Sequence, residues 1–78
     1  MKLDVDYLIG LRHDKRMTQT EVDKVLGFYE GCMHKLEKGH KNYIYYDKLL
    51  KLAVFFDVSP FDLVVEEEKD YDFLEVKE

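Results

Sequence analysis

Thr18-Gln19-Thr20-Glu21-Val22-Asp23-Lys24-Val25-Leu26-Gly27-Phe28-Tyr29-Glu30-Gly31-Cys32-Met33-His34-Lys35-Leu36-Glu37-Lys38-Gly39 reads as two short helices joined by a tight turn. Thr18 and Glu21 have the spacing of a capping box, in which the threonine hydroxyl accepts an orphan amide and the glutamate reaches back to the first. The helix that starts there carries Val22, Val25 and Leu26 inward and is expected to stop at Gly27, which takes a left-handed conformation cheaply. After Gly27-Phe28-Tyr29, Met33 and Leu36 repeat at helical spacing until Lys38-Gly39 offers a second stop.

Outward from this pair, Val5, Leu8, Ile9 and Leu11 recur every three or four residues and predict a helix from Asp4 to about Lys15, slightly weakened by Gly10. Downstream, His40 to Ile44 is polar and loop-like. Tyr46, Leu49, Leu50, Leu52, Ala53 and Phe56 then define a strongly amphipathic helix. Ser59-Pro60 is a cap followed by proline at the first helical position, so a short fifth helix is expected over roughly 60–65, anchored by Phe61 and Leu63 or Val64. Beyond Glu66 the acidic run repels itself, yet Tyr71, Phe73, Leu74 and Val76 are too apolar for a purely solvated tail. No internal repeat is found. The expected fold is all-α: a compact five-helix body over residues 1–65, followed by an acidic extension over 66–78.

The chain of 78 residues has room for one domain. A chain this short buries only about 60% of its unfolded surface, so its core must come from well-patterned helices or from a partner subunit. The formal charge of −5 at first argues against nucleic acid. Its distribution reverses that: residues 1–58 carry net +1, residues 12–41 net +2, and residues 59–78 net −6. The acidity belongs to the carboxyl end. Cys32 has no partner for an internal disulfide, no signal-peptide pattern opens the sequence, and charges interrupt every apolar run, so a cytoplasmic location without membrane insertion is the expectation.

Two short helices joined at a glycine, the second preceded by a bulky apolar residue, have the geometry of a helix-turn-helix. At Leu11-Arg12, Met17-Thr18-Gln19, Glu21-Val22, Leu26-Gly27-Phe28, Met33, Leu36-Glu37-Lys38-Gly39, Leu49-Leu50-Lys51-Leu52-Ala53 and Phe56-Asp57-Val58-Ser59, covering about residues 7–65, the chain resembles the lambda repressor-like (Cro/C1, or XRE) DNA-binding domains. The resemblance implies a structural ion pair between Arg12, late in the first helix, and Glu37, at the end of the recognition helix. It implies that Gln19 meets a phosphate and helps seat the second helix, and that Tyr29, Glu30, Cys32, His34 and Lys35 lie where they could approach the major groove. Lys35 would donate to guanine or phosphate, Glu30 accept from cytosine, and Tyr29 bond a phosphate or cover a thymine methyl. Lys38, Lys41 and Asn42 would hold the DNA backbone.

Three positions depart from the family pattern. Asp23 stands where alanine is usual, so its charge must be paired or turned outward. Tyr29 replaces the Ser or Thr that caps the recognition helix, and Gly31 is expected to cost that helix about 1 kcal/mol. Together with acidic Glu30, they suggest either an unusual operator or a domain that kept the fold and lost strong DNA affinity.

Other chemistry finds little support. Cys32 and His34 lie two apart on a helix and point to different faces, while structural zinc wants paired clusters of four ligands. A nucleophilic Cys32 would need a base and an oxyanion pocket in a body too small for them. Neither enzymatic activity, nor a cofactor, nor a metal is expected. Tyr43, Tyr45 and Tyr46 read as packing at the core edge, a protein contact patch or a stacking surface. The tail reads either as a solvated extension or as a segment packed on the body or a second subunit. The reading as a whole is a repressor-type transcriptional regulator, a homodimer on a palindromic double-stranded operator. The alternative is a protein-interaction module, such as an antitoxin or anti-repressor, binding a partner through its tyrosines or acidic tail.

Overall fold

A computed structural model describes residues 2–38 and 43–65 of the chain. In order they form β1 (Lys2–Leu3), α1 (Val5–Asp14), α2 (Gln19–Leu26), α3 (Cys32–Lys38), α4 (Tyr46–Phe56), a 3-10 turn (Pro60–Leu63) and β2 (Val64–Val65). α1 and α2 start where a side chain satisfies a free amide, whereas α4, opened by Tyr45, has no side-chain cap. Asp4 Oδ1 accepts from Tyr7 N at 3.2 Å, and Thr18 and Glu21 close the expected capping box through Glu21 N to Thr18 Oγ1 at 3.1 Å and Thr18 N to Glu21 Oε1 at 2.7 Å.

Three helix ends use one device. Gly27, at φ +73°, lets Gly27 N donate to Lys24 O and Phe28 N donate to Asp23 O, the paired bonds of a Schellman motif. Arg16 does the same after α1, with Met17 N donating to Arg12 O, and Asp57 after α4, with Val58 N donating to Ala53 O. In all three cases the next residue is apolar (Met17, Phe28, Val58) and packs against the core. Each chain reversal therefore also seats a hydrophobic side chain.

The core joins Leu8 of α1, Val22 of α2, Met33 of α3, and Leu49, Leu52, Ala53 and Phe56 of α4 to Leu3, Ile44 and Leu63. Several expectations change here. Val22 and Leu26 turn inward, but Val25 is 59% exposed, because it falls at the edge of the narrow buried stripe of α2. Ile44, expected in a polar loop, is buried in the core, whereas Tyr46 is exposed.

The fifth helix is a single 3-10 turn, capped by Ser59 Oγ, which accepts from Phe61 N at 3.2 Å. Leu63 is its anchor and Phe61 is 84% exposed. The chain then extends. Leu63 O accepts from Asp4 N at 2.7 Å, and the β-branched Val64 and Val65 pair antiparallel with Leu3 and Lys2. The body is thus mostly helical, in keeping with the all-α expectation, but the described residues form four α-helices and one small two-stranded sheet, and a 3-10 turn stands where the fifth helix was expected. The acidic extension from Glu66 lies outside the described residues. Among the described residues, no helix is long and apolar enough to cross a membrane.

Two glycines separate backbone conformation from packing, since a Cβ at either Gly10 or Gly27 would meet nothing within 4 Å. Gly10→Ala, in the helical α1, is expected to stabilise the domain by about 0.5–1 kcal/mol. Gly27→Ala should destabilise it by about 1 kcal/mol, because φ is positive there. Urea unfolding monitored by circular dichroism measures both, and equal shifts of the same sign would contradict the assignment.

Candidate functional site

The three amino-terminal helices meet at a polar cluster. Arg12 of α1 donates from Nε to Glu37 Oε2 at 2.7 Å and from Nη2 to Glu37 Oε1 at 2.9 Å. Its Nη1 donates to Met17 O at 2.9 Å, in the link to α2. Gln19, first residue of α2, adds Nε2 to Glu37 Oε1 at 2.8 Å. The Arg12 and Glu37 side chains are only 12% and 5% exposed, and the glutamate bond holds the guanidinium pKa above its ordinary range. Planar, two-pronged pairing of this kind fixes orientation as well as distance. Gln19, which the resemblance implies both meets a phosphate and helps seat α2, thus uses one amide donor to brace the pair.

The start of α3 shows how the three departures fit together. Lys35 N donates to Gly31 O at 3.0 Å, so Gly31 is the residue that caps the helix, at φ +88°. It is not an interior helical glycine and carries no helix-propensity penalty; the positive φ is what glycine supplies there. Tyr29 makes no side-chain cap. Asp23 of α2, 3% exposed, turns inward and accepts from Met33 N at 2.9 Å on Oδ1 and from Gly31 N at 3.1 Å on Oδ2. A negative group at this end of a helix is also favoured by the helix dipole.

With its first turn held this way, α3 divides into two faces. Cys32 and Met33 are buried, with Leu36 partly so. His34, Lys35 and Lys38 are exposed on the opposite side, and Tyr29 and Glu30 are exposed just before the helix. Cys32, expected among the outward residues, is 1% exposed: it shares the inward side of the helix with Met33. Burial pushes its thiol pKa up, against the opposing pull of Lys48.

Between α3 and the start of α4 lies a cavity of about 600 Å³ lined in part by Tyr29, Lys35, Lys38, Tyr43, Tyr45 and Lys48. Lys48 Nζ sits 5.2 Å from the centroid of the Tyr29 ring, a cation–π contact. Tyr43, Tyr45 and Tyr46 are all exposed, so they do not pack at the core edge. Lys41 and Asn42 lie outside the described residues. On another face, Val25, Leu26, Leu50, Val54 and Phe55 line a shallow apolar groove between α2 and α4.

Three measurements follow. Arg12→Ala strands a mostly buried carboxylate and should cost about 3–5 kcal/mol, lowering Tm by more than about 10 °C; an unchanged Tm would remove the pair from the architecture. Cys32 in the native chain should react with iodoacetamide at least about tenfold more slowly than in urea at pH 8. Its raised pKa means that the folded form holds the proton longer than the unfolded one. The stabilisation this gives is complete below the unfolded thiol pKa of about 8.5 and disappears as pH rises through the folded value. Cys32→Ala should flatten that alkaline decline.

A family model described as Cro/C1-type HTH DNA-binding domain matches residues 8–69. No curated protein and no solved structure matches the sequence.

Proposed function

Because the chain belongs to the Cro/C1-type helix-turn-helix DNA-binding domain family, we propose that it is a sequence-specific transcriptional regulator of the repressor type. It occupies an operator in double-stranded DNA as a cytoplasmic homodimer whose two-fold axis matches a palindromic site. The family match carries this reading, and the outward face of α3 supports it: Lys35, Lys38 and His34 are exposed, while Cys32, Met33 and Leu36 face inward and Glu37 is held by Arg12.

In this reading Lys35 reaches base edges, with His34 beside it and Glu30 and Tyr29 at the entrance of the helix. Lys38 holds phosphate, as do Lys41 and Asn42 further along the chain. Gln19 retains its carbonyl oxygen and one amide hydrogen beyond the bond to Glu37, so it can meet the DNA backbone while seating α2. Cys32 is omitted because it is buried. Arg12 and Glu37 hold the scaffold and do not read DNA.

A second reading has its own observation. Val25 and Val54, 59% and 80% exposed, flank an apolar groove that DNA would not fill, and such a surface suits a protein partner.

Selection from a random double-stranded DNA pool, followed by binding across a salt series, separates the two. The DNA reading predicts an enriched palindrome. Lys35→Ala should then weaken the recovered site by about 1–3 kcal/mol and relax one position, while Lys38→Ala should weaken all sequences and lower the salt slope by about 1. Failure to enrich any site, with no binding at low salt, would leave the protein-partner reading.

A further inference from the structure

We infer that Asp23 is the positioning residue of the DNA-reading helix: one buried carboxylate, supplied by α2, sets the pose of α3 in place of a local cap. A helix of seven residues has almost as many free terminal amides as internal bonds, and its direction is poorly fixed unless those amides are held. An ordinary capping box holds them with two side chains of the same helix, one accepting from an amide in the first turn and one from the capping residue itself. Here Tyr29, Glu30 and Gly31 supply neither. Asp23 supplies both, through Met33 N and Gly31 N. Its own carbonyl accepts Phe28 N, so the residue that closes α2 also opens α3.

The bonds span eight and ten residues of sequence, which ties the end of one helix rigidly to the start of the next. They also release positions 29 and 30 from capping and leave both side chains exposed. Resting on the DNA-binding reading, the inference gives Asp23 a role in specificity without contact: it fixes where His34, Lys35 and Lys38 stand relative to α2.

The test uses the full chain with Asp23→Ala, which removes both acceptors, Asp23→Asn, which keeps the volume and one acceptor, and Leu49→Val as a core control. Hydrogen exchange is first measured on the free proteins. Exchange at Gly31 and Met33 should rise about tenfold more than at Leu8 and Leu52 in Asp23→Ala, with a smaller excess in Asp23→Asn and none in the control. Uniform acceleration would overturn the inference by reducing Asp23 to general stability. The second measurement is the ratio of affinities for the parent's selected DNA and for a scrambled duplex, taken where each variant is folded. That ratio should fall about tenfold in Asp23→Ala and stay unchanged in Leu49→Val; an unchanged ratio in the Asp23 variants would also overturn the inference. If Asp23→Ala does not fold, Asp23→Asn decides both measurements. A parent that selects no site defeats the DNA reading and, with it, the role in specificity, while the exchange data still judge the hold of Asp23 on α3.

Discussion

The bond between Arg12 and Glu37 is the constraint on which the amino-terminal half depends. α1, α2 and α3 are short, and each buries few large side chains, so apolar contact alone leaves their relative angles loosely fixed. The guanidinium adds direction: two donors bind one carboxylate while a third binds the Met17 carbonyl in the link to α2. Gln19 completes the coordination of Glu37 from α2. Such a cluster is costly to desolvate, but once satisfied it admits few alternative arrangements.

This clamp and the Asp23 bonds act at opposite ends of α3. Glu37 is next to last in the helix, and Gly31 and Met33 are at its start. A helix of under two turns held at both ends behaves as part of the scaffold. The side chains of His34, Lys35 and Lys38 take no part in either set of bonds. That division of labour explains how Tyr29 and Glu30 come to stand where a capping residue is usual.

Much of this was legible in the sequence, and the gaps have physical causes. Thr18 with Glu21, and Gly27, are local signals of known geometry, and they located α2 to the residue. The Arg12–Glu37 pair followed from the family resemblance. Asp23 reads only as an anomaly, because its partners are backbone amides eight and ten residues away, and amides have no sequence identity to read. Gly31 reads as an interior helical residue for the same reason. The left-handed residues Arg16 and Asp57 gave no warning, since neither is glycine. Val25 obeyed helical spacing but lay at the edge of a stripe narrower than the pattern implied. The strand pair is too short for alternation to register, and it joins residues at nearly the full span of the folded body. At the site, His34 and Lys35 are exposed and Lys38 is the last residue of α3, whereas Cys32 turns inward beside Met33, a facing that a helix of seven residues with few apolar positions does not reveal by spacing.

The small sheet has a mechanical consequence. Lys2 lies opposite Val65 and Leu3 opposite Val64, so the first and last described residues stand side by side. A pull on the two flanking segments would act across the ladder, loading its rungs in turn from the outer pair inward, rather than shearing them together. Once those rungs part, tension reaches Asp4 and Leu63, whose backbone bond ties the start of α1 to the end of the 3-10 turn. The domain is therefore fastened like a zip at its ends, and the bridge from Lys2 to Tyr43 adds a second catch just ahead of α4.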